Sequence, residues 1–218
     1  MKLGYACINM TLQAAGGITT NRGMRQKTFN ERGLPYVSEL ALQNVKDLEN
    51  IVKWNEEMGI KLFRMSSEIF PWMTYYDFED LPDYPMIDVY LKNIGALADE
   101  YDQRLTFHPS HFNALGSPNP VVVEKTIKEL NGHSKIMDLM GLSTTVYNKI
   151  NIHIAGAYGD KQATLDRWIS NYHKLDPNTQ ARLTVENDDK AAMYSVKELY
   201  KGISEQCGVP IVFDYYHH

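Results

Sequence analysis

Side chains that can bind metal ions stand at the ends of four consecutive apolar segments of this sequence. His108 follows RLTF, His153 follows INI, and Glu186 ends LTVE. Asp214 and His217 come after the last segment, IVF. Imidazole and carboxylate groups together suit Zn²⁺, Mn²⁺ or Fe²⁺, whereas an oxygen-only set suits Mg²⁺ or Ca²⁺ and a thiolate set suits structural zinc. The pattern predicts one metal site shared by these five residues.

Each residue also has an interpretation without a metal. A histidine at a strand end is often a hydrogen-bonded loop residue. Glu186 could pair with Arg182 or cap a turn, and Asp214 could cap the next helix. The coincidence of four consecutive strand ends favours the metal site, whereas His133 and His173, which fall on predicted helices, do not join it.

These residues must be positioned by strands and amphipathic helices that alternate along the chain. KLGYACIN predicts a first strand, followed by a polar loop over residues 11–35 and a helix from Ser38 to Met58, with Gly59 as its left-handed cap. In the last helix, Ser195 and Glu198 have the spacing of a capping box. The remaining predicted strands are IKLFRMSS, RLTFHP, KINIHIAG, ARLTVEND and VPIVFDYYHH.

Strands that alternate with helices need a parallel sheet, because a crossover helix returns the chain to begin a parallel neighbour. A G-x-G-x-x-G turn after the first strand would favour a dinucleotide-binding sheet, and the sequence has none. A (β/α) barrel collects reactive residues at the carboxyl ends of its strands, as the pattern here requires. We therefore predict an α/β fold of the TIM-barrel type, in one domain over residues 1–218.

Composition excludes a few classes of protein. The chain has 218 residues and a formal net charge of -5, so it does not bind nucleic acid through bulk positive charge. Its two cysteines, Cys7 and Cys207, lie far apart in the sequence and predict reduced thiols. No segment approaches the ~18 apolar residues of a membrane span. We expect a soluble, cytoplasmic protein without a membrane partner.

The whole chain resembles the UV damage endonuclease family. The resemblance is carried, in order, by GYACIN, TTNRGMRQK, WNEEMGIKLFRMSSEIFP, TFHPSHF, IHIAGAYGDK, LTVENDD and VFDYYHH. It implies a TIM barrel that binds damaged double-stranded DNA and nicks the strand 5′ of the lesion, leaving a 3′-hydroxyl and a 5′-phosphate. It also implies a cluster of divalent metal ions, with Mn²⁺ preferred over Zn²⁺ or Mg²⁺. The matching ligands are His108, His153, Glu186, Asp214 and His217, of which Glu186, His108 and His153 are the expected catalytic residues.

The resemblance further implies residues that contact the lesion. Tyr5 and Asn9 match family positions that line the lesion pocket, although Tyr5 could equally fill the barrel. The family usually has glutamine and tyrosine as a wedge after His-Pro, and this sequence has His111 and Phe112 there. An aromatic side chain can still fill a gap in the base stack, so the wedge role is better supported for Phe112 than for His111.

The resemblance also implies strands that this sequence does not contain. A parallel barrel has about eight strands, and we count six, so the barrel is expected to be truncated after strand six, with further family ligands beyond residue 218. The last residue, His218, matches no family ligand. An incomplete chain of this kind could be catalytically inactive.

Phosphate contacts are expected from basic residues close to the metal site. Arg22 and Arg25 stand in the first loop, and Lys161 follows the turn GAYG. Charged residues of this kind often form only a solvated face, but donors near a site can hold phosphates whatever the net charge. The enzyme alternative is a metal-dependent sugar isomerase or epimerase on a similar barrel, which would show no steep salt dependence. No obligate protein partner is evident.

Overall fold

Six parallel strands form the framework of the protein. The computed structural model describes residues 2–190 and 192–217, and its sheet has the strand order β1-β2-β3-β4-β5-β6. Parallel registers join β1 to β2, β2 to β3, β4 to β5 and β5 to β6. The strands are β1 (Gly4–Ala6), β2 (Leu62–Met65), β3 (Arg104–Phe107), β4 (Ile150–Ile152), β5 (Leu183–Glu186) and β6 (Ile211–Val212). The predicted alternation of strand and helix is confirmed.

Helices occupy most of the connections between strands. They are α1 (Met10–Gly16), α2 (Gln26–Glu57), α3 (Tyr84–Glu100), α4 (Pro120–Leu139), α5 (Lys161–Tyr172), α6 (Pro177–Arg182), α7 (Val196–Leu199) and α8 (Glu205–Cys207). A π-helical segment, Tyr200–Ser204, joins α7 to α8. The predicted capping box is present at α7, where Ser195 accepts from the Glu198 backbone N–H and the Glu198 carboxylate accepts from the Ser195 N–H. No helix within the described residues is both long enough and apolar enough to cross a membrane.

The predicted loop over residues 11–35 is wrong, because two helical segments lie within it. The Asn9 side chain accepts a hydrogen bond from the Leu12 N–H at 2.9 Å and so begins α1. Helix α2 begins at Gln26 and is interrupted at Gly33, whose φ of 60° and ψ of -157° are not helical. The break at Gly33 accommodates Pro35, which could not continue a regular helix. The predicted cap at Gly59 is confirmed by its φ of 69°.

The described residues pack as two compact units. The first comprises Met1–Phe107 with Lys135–Ser143, and the second comprises His108–Ser134 with Thr144–His218. In the first unit, α2 packs against α3 through fully buried residues that include Leu48, Ile51 and Leu91. A Cβ atom on Gly95 of α3 would lie 1.6 Å from the Met140 carbonyl oxygen, so only glycine fits there. That the 218 residues form one domain stays a prediction.

In the second unit, β4 and β5 separate apolar from polar side chains. Neighbouring side chains on a strand point to opposite faces of the sheet, and both strands alternate strictly. Asn151 and Thr184 are partners in the register between the two strands and point away from the apolar set. The apolar set is Ile150, Ile152, Leu183 and Val185, each at most 1% exposed.

Candidate metal centre

His108, His153 and Glu186 converge at the carboxyl ends of β3, β4 and β5. The Nε2 atoms of His108 and His153 lie 2.6 and 2.9 Å from the same oxygen, Oε1 of Glu186. The two imidazole rings are 5.3 Å apart between centroids. Donors held 2.0–2.2 Å from one ion lie about 3 Å from each other, so these three atoms already have the spacing of a metal site.

A second group of donors shares Glu186 with the first. Ligand atoms of Glu186, Asp214 and His217 all lie within 4.8 Å of one another. The His217 ring is 5.3 Å from that of His153 between centroids, so all five predicted ligands meet in one region of the second unit. Asp214 also caps the last turn by accepting from the Tyr216 N–H at 2.8 Å. The capping interpretation of Asp214 is thus correct for one of its oxygens.

His108 and His217 are anchored through Nδ1, and Nε2 of both His108 and His153 faces Glu186. Nδ1 of His108 lies 3.1 Å from the Pro109 carbonyl, and Nδ1 of His217 lies 2.9 Å from the Asn187 carbonyl. A carbonyl only accepts, so Nδ1 must carry the proton in both. Nδ1 of His153 faces Oδ1 of Asp188 at 3.3 Å. Metal-binding histidines typically have such partners on their second nitrogen, so the donor set fits a divalent cation.

Burial and charge act together on the site. Burial alone would raise the pKa of Glu186, but hydrogen bonds and charge from His108 and His153 hold that pKa well below its usual range. Burial alone would lower the pKa of His153, yet Asp188 and Glu186 outweigh it and raise the pKa to about 9. In the absence of a metal ion, the proton on His153 offsets the carboxylate charge, and a cation bound at Nε2 would take the place of that proton.

Three contributors to this region were not singled out by the sequence. Asn151 donates through Nδ2 to Oε2 of Glu186, and Asp188 faces His153 as described above. The Asn187 side chain makes two hydrogen bonds to the backbone of Asp214. It donates to the Asp214 carbonyl at 3.1 Å and accepts from the Asp214 N–H at 2.9 Å. The only available signals were the run ENDD after β5 and a polar residue two before His153, which alternation places on the same face.

The two predicted wedge residues are exposed side by side. Phe112 is 75% exposed, and its ring lies 4.2 Å from that of His111 between centroids. The next residue, Asn113, anchors their loop by donating to the Ser110 carbonyl and to Oε1 of Glu129. A protruding aromatic on an anchored loop is available for stacking, so the wedge expectation remains a prediction.

Tyr5 and Asn9, in the first unit, are bonded to each other. Asn9 donates to the Tyr5 hydroxyl at 2.7 Å, and that hydroxyl donates to Asn55 of α2 at 2.8 Å. The Tyr5 ring also packs on Phe63, with 5.0 Å between centroids. These contacts give Tyr5 a packing role, and its contact with a lesion stays a prediction.

The predicted phosphate-binding residues differ in how far they are engaged. Arg22 pairs with Asp47 at 2.8 Å and donates to the carbonyls of Thr19 and Gly17. Arg25 is exposed at the start of α2.

Lys161 resembles Arg22 in being held by the protein. It begins α5, donates to the Met193 carbonyl and pairs with Glu198 at 2.7 Å. Of the three basic residues, Arg25 is the most exposed, whereas Arg22 and Lys161 are held by Asp47 and Glu198.

Known proteins match this chain along its whole length. The family model for UV-endonuclease UvdE matches residues 1–218. The chain is 35% identical to a UV-damage endonuclease of Schizosaccharomyces pombe and 36% identical to a putative UV-damage endonuclease of Acanthamoeba polyphaga mimivirus. Both matches cover 100% of this chain, but only 36% and 65% of those relatives. The chain thus spans about a third of one relative and just under two thirds of the other.

Solved structures agree on the fold. The crystal structure of SacUVDE matches 100% of this chain and 70% of its own, with a TM-score of 0.87 and 32% identity. A D-psicose 3-epimerase from Clostridium cellulolyticum H10 matches 78% of this chain with a TM-score of 0.54 and 14% identity, which shows a common fold alone. The fold class is α/β of the TIM-barrel type, as predicted. With a family model matched from end to end, the chain belongs to the UV-endonuclease UvdE family.

Proposed function

We propose that this chain is a metal-dependent endodeoxyribonuclease that nicks DNA immediately 5′ of UV photoproducts. The observation that carries the proposal is the convergence of two imidazole Nε2 atoms on one oxygen of Glu186 in a chain of the UvdE family. The named relatives are UV-damage endonucleases, and the donor set suits the hydrolysis of a phosphodiester.

The five converging residues would divide into two sets of ligands. His108, His153 and Glu186 would hold one cation, and Asp214 and His217 would hold a second together with Glu186. Mn²⁺ is the proposed ion, with Zn²⁺ and Mg²⁺ as alternatives that a direct assay separates. When bound, such a cation lowers the pKa of a water molecule and offsets charge that develops on the phosphate oxygens.

The chain's own residues prepare this site before any substrate arrives. The carbonyls of Pro109 and Asn187 hold Nδ1 of His108 and His217, and Oδ1 of Asp188 lies 3.3 Å from Nδ1 of His153. Glu186 remains ionised because His108 and His153 hold its pKa below the usual range. An oriented, ionised carboxylate needs little reorganisation when a cation binds. His153, whose pKa is raised to about 9, must release a proton to bind the cation, because only neutral imidazole is a ligand.

DNA contacts are proposed for the residues that the family resemblance singled out. Phe112, with His111 beside it, would fill the gap left in the base stack, and Tyr5 and Asn9 would line the lesion pocket. Arg25 is the first candidate for a phosphate contact, followed by Arg22 and Lys161. We propose the cytoplasm as the compartment, with the protein bound to the nucleoid when it engages DNA.

A nicking assay tests the proposal directly. Supercoiled plasmid, irradiated or not, is incubated with the chain and either Mn²⁺, Zn²⁺, Mg²⁺ or EDTA. We expect relaxed circles from irradiated plasmid with Mn²⁺ and none with EDTA or with undamaged plasmid. End-labelled substrate carrying one photoproduct then locates the nick and identifies the 3′-hydroxyl.

Matched variants separate the site from contaminating nuclease. His153→Gln should abolish nicking, whereas His173→Gln, an exposed residue at the end of α5, should leave it unchanged. Equal nicking by the His153→Gln variant and the wild type would overturn the proposal. So would cation-dependent cleavage that ignores irradiation, because that would indicate an unspecific nuclease.

A further inference from the structure

The layer beneath the metal centre is polar where a barrel interior is usually apolar. Bulky branched residues normally fill the interior of a TIM barrel. Here the positions two residues before His153 and Glu186, on the same faces of β4 and β5, are Asn151 and Thr184. Both are buried, at 4% and 2% exposure. Burying an amide and a hydroxyl costs free energy unless they are hydrogen-bonded, so the hydrogen bonds of these two side chains show how that cost is offset.

These contacts form one chain of hydrogen bonds that ends on the shared ligand. The Thr184 hydroxyl donates to Oδ1 of Asn151 at 2.7 Å, and Nδ2 of Asn151 donates to Oε2 of Glu186. The chemistry of these groups fixes which atom donates in each hydrogen bond. An ionised Glu186 can only accept, so Asn151 must present its NH₂ group to it, and its carbonyl oxygen must then face a donor.

We infer that Asn151 is a positioning residue for Glu186 and that Thr184 fixes the orientation of the Asn151 amide. The inference deepens the proposed function and rests on the metal centre described there. With Oε2 held by Asn151, Oε1 is the oxygen directed at both imidazoles. Without that hydrogen bond, the carboxylate could rotate and offer its oxygens to the two ligand groups in other ways.

The parallel register explains why two adjacent strands carry this pair. Asn151 and Thr184 are direct partners across β4 and β5, so their side chains lie next to each other on one face. Thr184 bonds to Asn151, and Asn151 bonds to Glu186, so their effect on a bound cation would pass through Glu186. Outer partners of this kind typically change metal affinity by about 10- to 100-fold when removed.

Mn²⁺ binding to the purified chain tests the inference, measured as free Mn²⁺ by electron paramagnetic resonance. Asn151→Leu keeps the approximate volume and removes the donor, and we expect it to weaken Mn²⁺ binding by about 10- to 100-fold. Thr184→Val removes only the hydroxyl and should weaken binding by up to about 10-fold. Thr184→Ser restores the hydroxyl, so it should bind Mn²⁺ within about 2-fold of the wild type, a rescue expected of a hydrogen bond rather than of packing.

Thr179→Val is the matched control. Thr179 is fully buried in the same unit, and within the described residues its hydroxyl has no hydrogen-bond partner. This variant changes a buried threonine without touching the metal centre, so Mn²⁺ affinity should stay at the wild-type value. Circular dichroism melts without metal identify any variant that fails to fold. If Asn151→Leu does not fold, the comparison of Thr184→Val with Thr184→Ser still decides the matter.

Three results would overturn the inference. They are wild-type affinity in folded Asn151→Leu and Thr184→Val, equal loss in Thr184→Val and Thr184→Ser, and absence of Mn²⁺ binding by the wild type. Failure of the proposed function is distinguishable. If the variants bind Mn²⁺ in the expected order but the wild type does not nick irradiated DNA, the endonuclease proposal fails and the role of Asn151 stands.

Discussion

Glu186 is the residue shared by both groups of candidate metal ligands. It receives two imidazoles on one oxygen and Asn151 on the other, and it belongs to both possible ion sites. Its side chain is only 6% exposed, so water does little to compensate its charge. A change at this position should therefore affect every ion at once.

Glu186→Gln tests this dependence. The substitution preserves volume and removes the charge, so we expect Mn²⁺ affinity to fall by more than the roughly 10- to 100-fold typical of an outer partner, and nicking to disappear. Isothermal titration calorimetry measures the binding. Glu79→Gln, at an exposed residue whose carboxylate contacts Lys135 and Tyr84, is the control and should bind Mn²⁺ normally. Unchanged Mn²⁺-dependent nicking by Glu186→Gln would remove Glu186 from the site.

At the scale of elements, the sequence predicted which candidate ligands converge better than it predicted the residues that support them. His108, His153 and Glu186 could be found because each follows an apolar strand, and parallel strands bring such ends together. Asn151 and Asp188 could not, because their importance depends on which atoms face Glu186 and His153 in three dimensions.

The first loop was mispredicted for a local reason. Asn9 had been considered only as a binding residue, but it caps α1. The strands and later helices followed from alternation and cap signals, which are local properties of the chain. The break at Gly33 was missed because its backbone angles are not readable from the residue type alone.

Helix α4 holds the wedge loop through a carboxyl group whose state depends on pH. Burial raises the pKa of Glu129, although the hydrogen bond from Asn113 opposes this. A raised pKa in the folded state contributes stability below the unfolded value of about 4.3, and this contribution is lost as pH rises through the folded value. The amide of Asn113 thus bonds to Glu129 through its nitrogen alone, since its buried Oδ1 has no hydrogen-bond partner within the described residues.

Glu129→Gln should therefore stabilise the protein more at pH 7.5 than at pH 4. Glutamine stays neutral and can still accept from Asn113. Melting midpoints in EDTA, compared with the wild type at both pH values, measure the difference. Glu124→Gln, an exposed carboxyl on the same helix, provides the baseline. A stability difference for Glu129→Gln that is the same at both pH values, or larger at pH 4, would contradict the effect of burial.

For the whole molecule, cation binding and folding should be linked. A ligand that binds only the folded state stabilises it by about 2.7 kcal/mol at 100 times its Kd. For a chain of this size that corresponds to a rise in melting midpoint of roughly 5–10 °C. Thermal melts with Mn²⁺ and with EDTA measure the rise, and Glu186→Gln should lose it. An equal rise in both proteins would indicate that Mn²⁺ binds elsewhere.

DNA binding by the whole molecule should depend steeply on salt despite its formal net charge of -5. Each phosphate contact contributes about 0.9 to the slope of log K against log salt concentration. Arg25→Gln should lower that slope by about 1 and weaken binding to damaged and undamaged duplexes alike. Fluorescence anisotropy across a salt series measures it, with Lys92→Gln on α3 as the control. A slope unchanged by Arg25→Gln would assign the phosphate contacts to other residues.

Asn9 makes two hydrogen bonds that place different demands on its side chain. The amide of Asn9 accepts from the Leu12 N–H with its oxygen and donates to the Tyr5 hydroxyl with its nitrogen. Aspartate, serine or threonine would satisfy the helix cap equally well, but aspartate when ionised has no proton to donate to that hydroxyl. In a saturation library, selection for folded protein should tolerate those replacements at codon 9. A screen for survival after irradiation that enriched asparagine alone would show that folding requires the oxygen of the Asn9 amide and that activity requires its nitrogen.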